Sequence, residues 1–200
     1  MEKERKDKMS QNVEIEFKNL LTETEFTRLK TFLNMDEFMF KNQDNHYFDT
    51  INFSLKEKGC ALRIRYKHEK YELTLKEPLE EGLLETNQML TFDEAQTMLE
   101  NGRIIEGPVK DRFSQLQIPP AELTCFGTLS TKRAEKEYKD GLIVLDYSTY
   151  LNRADFEVEY EVDDYQSGKV IFENLLSQLD IPVRPTENKV RRFYRAKFNS

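Results

Sequence analysis

Alternating apolar and charged residues define the first predicted strand of the chain. Between Val13 and Lys18, apolar side chains alternate with Glu14, Glu16 and Lys18. Successive side chains of a strand point to opposite faces, so these three ionic groups share one face at steps of about 7 Å. The segment therefore predicts a strand with one apolar face and one charged face.

Seven later segments have the same strand character, with two-residue alternation or many aromatic and β-branched residues. They cover approximately residues 38–53, 60–67, 71–76, 83–90, 123–138, 142–151 and 154–162. Short turns such as Lys139-Asp140-Gly141 join the last three segments, which favours antiparallel hairpins. The pattern predicts about eight antiparallel strands.

Helical periodicity is present in five segments. They begin near Thr22, Thr91, Pro108, Ser167 and Thr186. The first two open with a capping box, a threonine followed three residues later by a glutamate. The last helix, predicted at about Thr186–Phe198, is rich in basic residues: Lys189, Arg191, Arg192 and Arg195. Its three arginines are predicted to form an exposed or dipole-facing surface of the helix rather than to bind a ligand.

The composition of the chain shows no linker that would separate domains. No low-complexity segment and no internal repeat interrupts the order of predicted strands and helices. We therefore expect one domain over residues 10–200. Residues 1–9 are expected to be a flexible charged tail before it.

The overall charge narrows the set of partners. The chain has 37 acidic and 30 basic residues and a net charge of −7, which disfavours binding to the anionic nucleic-acid backbone or to a membrane surface. No apolar run has the length of a membrane span or the pattern of a signal peptide. Cys60 and Cys125 lack metal-site spacing, which fits a reducing compartment. We expect a cytoplasmic monomer or homodimer with no nucleic-acid and no membrane partner.

The charges on the predicted strands segregate by sign. Acidic residues dominate the first and last strands, and basic residues dominate the strands between them. An open sheet with one solvated face is the common meaning of such alternation, but a solvated face usually mixes both signs. Eight antiparallel strands can instead close into a barrel whose interior holds side chains and one small ligand. Both observations favour closure with the charged face inside, and the open sheet remains the alternative.

Closure would place two charged walls in the barrel interior. The acidic wall would contain Glu14, Glu16, Asp146, Glu157 and Glu159. The basic wall would contain Lys18, Arg63, Arg65, Lys76 and Arg133. Because desolvated carboxylates need a cation and clustered bases need an anion, a metal-bound polyphosphate would satisfy both. Oxygen ligands without histidine or cysteine favour Mg²⁺ or Mn²⁺, and arginine donors fit phosphate oxygens.

These residues resemble the CYTH domain, whose members are triphosphate tunnel metalloenzymes. The resemblance begins with the E-x-E-x-K pattern at Glu14, Glu16 and Lys18 and continues through an ordered series. That series is Arg63, Arg65, Lys76, Arg133, Asp146, Glu157, Glu159 and Lys189. The resemblance covers about residues 13–198, which is nearly the whole chain.

The resemblance implies an α+β fold built on an eight-stranded antiparallel closed barrel, a tunnel with a charged lumen, flanked by several helices and a C-terminal closing helix. The implied cofactor is Mg²⁺ or Mn²⁺, held by Glu14, Glu16, Asp146, Glu157 and Glu159. The implied residues for binding the triphosphate are Lys18, Arg63, Arg65, Lys76, Arg133 and Lys189. The implied catalytic residues are Glu14, Glu16, Lys18, Lys76 and Glu159, with Glu85 as a further acid of the lumen.

The function predicted from this resemblance is metal-dependent hydrolysis of a triphosphate-containing small molecule, with inorganic triphosphate as the first expectation. Water would attack the terminal phosphorus without a covalent nucleophile, since the chain has no G-x-S-x-G elbow and no Walker loop. Thiamine-triphosphatase, nucleotide triphosphatase, CYTH-type adenylyl cyclase and non-catalytic polyphosphate binding remain as alternatives.

Overall fold

The computed structural model describes residues 9–120 and 123–198. The strands in this part of the chain are β1 Met9–Leu21, β2 Lys41–Thr50, β3 Ala61–Lys67, β4 Lys70–Pro78, β5 Leu83–Leu90, β6 Leu123–Tyr138, β7 Gly141–Tyr150 and β8 Arg153–Val162. They form a closed barrel in the order β1-β5-β4-β3-β2-β6-β7-β8. The predicted α+β class and the closed antiparallel barrel are confirmed, and the open sheet is excluded.

Six α-helices accompany the barrel in the described residues. They are α1 Glu23–Phe32, α2 Ser54–Glu57, α3 Phe92–Asn101, α4 Pro108–Gln115, α5 Tyr165–Gln178 and α6 Lys189–Phe198. None of the helices in the described ranges is both long enough and apolar enough to cross a membrane. The predicted charged tail falls mainly on residues 1–8, which lie outside the described residues.

Both predicted capping boxes are present. The Thr22 hydroxyl accepts a hydrogen bond from the Glu25 amide at 3.2 Å, and the Glu25 carboxylate accepts one from the Thr22 amide at 2.7 Å. Thr91 and Glu94 make the same two hydrogen bonds at 3.3 Å and 2.9 Å. Because these bonds satisfy amides that have no partner inside the helix, they fix where α1 and α3 begin.

Several local elements differ from the sequence-based prediction, among them the strand predicted at 38–53, which is preceded by a 3-10 helix at Glu37–Met39 and begins at Lys41. Helix α6 begins at Lys189 rather than Thr186, because the Thr186 hydroxyl accepts from the Leu20 amide at 2.9 Å and donates to the Arg184 carbonyl at 3.0 Å. Helix α2 was not predicted. The Asp49 carboxylate, which lies outside this helix, accepts hydrogen bonds from two amides of its first turn at 2.9 Å and 3.1 Å.

The fold contains two compact units. The first unit comprises the chain up to Val13 and Asp44–Leu129, and the second comprises Glu14–Gln43 and the chain from Ser130 onward. The prediction of one domain over residues 10–200 stays a prediction.

In the first unit, the apolar face of β3 and β4 is fully buried against α3 and α4. The fully buried residues of this core include Leu62, Ile64, Leu73, Leu75, Ala95, Met98, Val109 and Phe113. The two-residue period places Arg63, Arg65 and Lys76 on the opposite face. The helices therefore cover the apolar side and leave the basic side to the barrel interior.

The second unit repeats this arrangement with acidic strands. Its core packs β6, β7 and β8 against α1 and α5 through Leu29, Ala134, Ile143, Leu145, Val158, Tyr160, Leu175 and Leu176. Asp146, Glu157 and Glu159 alternate with these residues and so point to the other side. A charged inner face follows from the same strand parity in both units.

Candidate active site

The register of the strands brings acidic side chains of the second unit into neighbouring positions. Glu157 of β8 lies opposite Asp146 of β7. Glu16 and Lys18 of β1 lie opposite Glu161 and Glu159 of β8. Directly opposite residues on adjacent strands are within reach of each other. The predicted acids of β1, β7 and β8 are therefore brought together on one face.

Arg133 of β6 joins two of these carboxylates. Its Nε and Nη2 atoms donate to the two oxygens of Asp146 at 2.8 Å and 2.6 Å, and Nη2 also donates to Glu159 at 2.7 Å. The Asp146 side chain is 0% exposed. Burial alone would raise the pKa of Asp146, but the charges of Arg133 and Lys189 outweigh it, so this pKa is lowered.

Lys189, the first residue of α6, contacts three carboxylates with one ammonium group. Its Nζ lies 2.8 Å from Asp146 Oδ2 and also forms ion pairs with Glu157 and Glu159. Burial works to lower the pKa of Lys189, but these three carboxylates raise it well above its ordinary value. Lys189 is therefore a fully charged buried cation.

The carboxylates of β8 differ in their affinity for a proton. Burial raises the pKa of Glu157 to about 7, and the charge of Glu159 adds to this effect. Burial also raises the pKa of Glu161 to about 7, with Glu14 and Glu159 contributing. In contrast, Lys189 and Arg133 overcome the burial of Glu159 and hold its pKa well below its ordinary value. The face therefore carries more acid than its own cations neutralise.

On β1, Lys18 forms an ion pair with Glu16 of its own strand. Burial works against the charged form of Lys18, but Glu16 and Glu159 outweigh it and raise the pKa of Lys18. Glu14 lies on the same face and is half-buried. All three residues of the predicted E-x-E-x-K pattern thus belong to the charged inner face.

One predicted feature of the site is wrong. We expected Lys18 and Arg133 on a basic wall facing the acids, but both form ion pairs with acidic residues. The reason for Arg133 is the β6–β7 register, which places it directly opposite Asp146. Desolvated opposite charges at neighbouring positions pair with each other.

The remaining predicted bases lie on the polar face of the first unit. Arg65 Nε donates to Asn45 Oδ1 at 3.1 Å, and Lys76 forms an ion pair with Glu85. Within the described residues, the buried Nε of Arg63 makes no hydrogen bond. This face thus presents Arg63, Arg65 and Lys76 together with Glu85, the acid that was predicted to share their surface.

Arg192 was missed by the sequence analysis, which placed it on an exposed or dipole-facing helix surface and not among the site residues. It is 5% exposed, and its guanidinium donates to Asp155 at 3.0 Å and forms an ion pair with Glu157. Arg191 and Arg195 are exposed, as predicted. Arg192 follows Lys189 by three residues, so a shared helix face was readable from the sequence. Glu161 was likewise passed over, although it continues the two-residue period of Glu157 and Glu159.

The donor chemistry of the second unit fits a hard divalent cation. Carboxylate oxygens are the ligands that Mg²⁺ and Mn²⁺ prefer, and the raised pKa values of Glu157 and Glu161 indicate surplus acid that a cation would relieve. No group of three or more histidine, cysteine or acidic side chains in the described residues is already arranged around a metal position. The five predicted metal ligands stay a prediction.

Comparison with known protein families identifies the class. The CYTH domain model matches residues 12–194, so this chain belongs to the CYTH domain family, as its sequence resemblance indicated. The chain is 52% identical over 192 residues to YjbK of Bacillus subtilis (strain 168), covering 96% of this chain and 100% of YjbK. YjbK is provisionally named a triphosphatase.

Solved structures agree with this family. A Bacillus halodurans protein provisionally described as an adenylate cyclase is 43% identical, with a TM-score of 0.89 and coverage of 92% of this chain and 98% of that protein. HpAC1 from Hippeastrum, provisionally assigned as an adenylyl cyclase and described as having a dominant triphosphatase activity, has a TM-score of 0.78 over 92% of this chain and 97% of its own. At 23% identity, HpAC1 supports the fold alone.

Proposed function

We propose that this protein is a divalent-metal-dependent hydrolase of triphosphate substrates, that inorganic triphosphate is its preferred substrate, and that it releases the terminal phosphate. The observation that carries the proposal is the buried charge cluster in which Arg133 and Lys189 share the carboxylates of Asp146 and Glu159. A buried cluster this rich in ions is costly as a structural device. The 52% identical YjbK, provisionally named a triphosphatase, supports the same activity.

The acidic residues would hold the metal. We assign this role to Glu14, Glu16, Asp146, Glu157 and Glu159. When bound, a divalent cation supplies charge neutralisation to the phosphate oxygens and orients the substrate. Mg²⁺ and Mn²⁺ suit these ligands because both are hard cations that favour oxygen.

The basic residues would bind and orient the triphosphate. We assign this role to Lys18, Arg63, Arg65, Lys76, Arg133 and Lys189. A planar guanidinium donates two parallel hydrogen bonds to phosphate oxygens, whereas an ammonium acts as a compact point charge. The buried Nε of Arg63, which makes no hydrogen bond to described residues, is a donor available for such an oxygen.

Hydrolysis requires few other groups in this proposal. Transfer of a phosphoryl group depends mainly on positioning and on stabilising the charge of the phosphate oxygens. The basic side chains hold the terminal phosphate in line for attack by water. Lys18 and Lys76 stabilise the negative charge of the phosphate oxygens as the bond to the leaving pyrophosphate breaks. Glu14, Glu16 and Glu159 complete the catalytic set as carboxylates that would hold the divalent cation, which would supply positive charge to the phosphate oxygens.

A substrate panel tests the proposal. Inorganic triphosphate, thiamine triphosphate and ATP are incubated with Mg²⁺, with Mn²⁺ and with a chelator, and phosphate and pyrophosphate are measured. We expect equal amounts of both products from inorganic triphosphate and no products with the chelator. The Lys189→Met variant should be at least about a hundredfold slower, whereas Lys197→Met, an exposed position of the same helix, should match the wild type. Tight triphosphate binding without product release would instead support a binding module.

Adenylyl cyclase is the second candidate, because the 43% identical Bacillus halodurans protein is provisionally described as one. A cyclase directs the ribose hydroxyl to the α-phosphorus and releases pyrophosphate together with a cyclic nucleotide. The ATP arm of the panel separates the two activities. Cyclic AMP as the main product of ATP would replace the hydrolase assignment.

A further inference from the structure

The side chain of Arg192 binds three residues of the second unit, two on strand β8 and one just before helix α6. Its Nε donates to Asp155 Oδ2 at 3.0 Å, its Nη2 forms an ion pair with Glu157, and its Nη1 donates to the backbone carbonyl of Glu187. Asp155 and Glu157 belong to β8, while Glu187 lies two residues before α6. The guanidinium therefore ties the start of this helix to the acidic strand.

Glu157 is shared by two cations of the same helix. One of its oxygens pairs with Lys189 and the other with Arg192. Lys189 and Arg192 are three residues apart and lie on the same helix face. Because both oxygens are engaged from α6, neither the carboxylate nor the start of the helix can rotate without breaking an ion pair.

A further contact holds Asp155, one of the three partners of Arg192, in place. The Tyr150 hydroxyl donates to Asp155 Oδ2 at 2.7 Å, and the ring of Tyr150 packs against Phe193 of α6 at a centroid distance of 5.5 Å. Tyr150 thus contacts the strand partner of Arg192 and the residue that follows Arg192. Polar and aromatic contacts fix the same turn of the helix.

We propose that Arg192 is a positioning residue, which sets the start of α6 so that the Lys189 ammonium stays against Asp146, Glu157 and Glu159. Arg192 itself contacts no substrate in this assignment. The consequence for activity rests on the proposed triphosphatase function, whereas the consequence for Lys189 does not. A lysine in place of Arg192 cannot satisfy three acceptors that lie in different directions, since it lacks the planar fork.

Chemical acetylation of lysines, followed by mass spectrometry, measures the position of Lys189 without reference to activity. The Lys189 side chain is 11% exposed, so it should be acetylated slowly relative to the exposed Lys197 of the same helix. We expect Arg192→Met and Arg192→Lys to raise the acetylation rate of Lys189 by roughly tenfold, the effect of a local opening made easier by 1.4 kcal/mol. Arg191→Met, a change at the exposed neighbour, should leave this rate unchanged.

Kinetics with inorganic triphosphate provide the second readout. We expect kcat to fall by about a hundredfold in both Arg192 variants, as a small misplacement of a catalytic group can cause, and Arg191→Met to match the wild type. A lower melting temperature with unchanged Lys189 acetylation, or full recovery of kcat by Arg192→Lys, would overturn the proposal. If Arg192→Met does not fold, Tyr150→Phe loosens Asp155 alone and should raise Lys189 acetylation to a smaller extent.

The two readouts separate the proposals from each other. A wild-type protein that cleaves no triphosphate, but whose Lys189 becomes reactive in the Arg192 variants, would contradict the proposed function and leave the positioning role supported. Cleavage by the wild type with no change of Lys189 in any variant would contradict the positioning role alone.

Discussion

Lys18 and Glu159 lie directly opposite each other in the register of β1 and β8, yet the Lys18 ammonium pairs with Glu16 of its own strand. Glu159 is held by Arg133 and Lys189 instead. Its charge still acts on Lys18 and helps to raise the pKa of this lysine against the opposing effect of burial. An ammonium has three donors, so the ion pair with Glu16 leaves Lys18 further donors for a phosphate oxygen of the proposed substrate.

Replacement of Lys18 by methionine should therefore impair catalysis more than stability. We expect kcat/KM for inorganic triphosphate to fall by at least about tenfold, which corresponds to about 1.4 kcal/mol of transition-state stabilisation. The matched control is Lys30→Met, which removes another lysine–glutamate ion pair, that of Lys30 with the exposed Glu37. Equal loss of activity in both variants would contradict a phosphate-binding role for Lys18.

The pKa of Glu161 predicts a pH dependence of stability. Burial raises this pKa from 4.5 to about 7, so the folded state binds a proton more tightly than the unfolded state does. The contribution of this proton to stability is complete below pH 4.5 and is lost as the pH rises through 7. In metal-free buffer, Glu161→Gln should therefore raise the melting temperature at pH 8 by about 2–4 °C, the shift that about 1 kcal/mol produces in a chain of this length.

The same comparison at low pH is the internal control for this prediction. Below pH 4.5 the carboxyl group is protonated in both states, so wild type and Glu161→Gln should melt at nearly the same temperature. A variant that is less stable than the wild type at pH 8 would show that the charged form of Glu161 is stabilised in the folded protein, contrary to the raised pKa.

Strand parity made much of the fold and inner face predictable from sequence. The alternation in Val13–Lys18 and the matching period of Glu157 and Glu159 assign each side chain to one of two faces, and a two-residue period leaves no third choice. The segregation of charge between strands favoured closure, and the resemblance to the CYTH domain implied it. These are properties of local sequence, so no partner strand had to be known.

The pairing of those charges could not be obtained in the same way. Arg133 meets Asp146 because β6 and β7 pair in one particular register, and a shift by two residues would preserve every face while changing every partner. The spacing of Lys189 and Arg192 indicates a shared helix face, but the packing of that face against β8 is a tertiary contact that no local pattern records. The later start of α6 depends on Thr186 bonding to Leu20 across 166 positions of sequence.

Glu25, the glutamate of the α1 capping box, also forms an ion pair with Arg184, and the strength of this pair depends on pH. Hydrogen bonds from Arg184, at 2.8 Å to each oxygen, lower the pKa of Glu25 from 4.5 to about 2. The charged form is therefore stabilised in the folded protein, and this contribution is present above pH 4.5 and is lost as the pH falls towards 2. Glu25→Gln should reduce the free energy of unfolding by about 1–3 kcal/mol at pH 7.

Glu94→Gln is the matched control for this change. Glu94 makes the same two capping hydrogen bonds at the start of α3, but these bonds are exposed and Glu94 itself is only partly buried. Urea unfolding at pH 7 should show the larger loss for Glu25→Gln, and the gap between that variant and the wild type should narrow below pH 4.5. A gap that stays constant down to pH 3 would contradict the lowered pKa of Glu25.

Arg133 and Asp146 should be strongly coupled, because the guanidinium holds both oxygens of a carboxylate that is 0% exposed. Removing one partner leaves a buried charge that is poorly compensated, so Arg133→Met should lower the free energy of unfolding by about 3–5 kcal/mol. Adding Asp146→Asn to this variant should recover part of the loss, with a coupling energy of at least about 1.5 kcal/mol. Urea unfolding in metal-free buffer of the wild type, Arg133→Met, Asp146→Asn and the double variant measures this coupling energy.

A second bidentate pair distinguishes a stabilising contact from a functional one. Arg112 donates to both oxygens of Glu77 at 2.8 Å and 2.6 Å in the first unit, and the two-residue period of β4 places Glu77 on the face opposite Lys76. Arg112→Met should lower stability while leaving kcat for inorganic triphosphate unchanged in the folded protein, whereas Arg133→Met should lower both. Since the two pairs share their geometry, loss of kcat in Arg133→Met alone would be due to its place among the buried carboxylates. Equal kcat in both variants would remove Arg133 from the triphosphate-binding set.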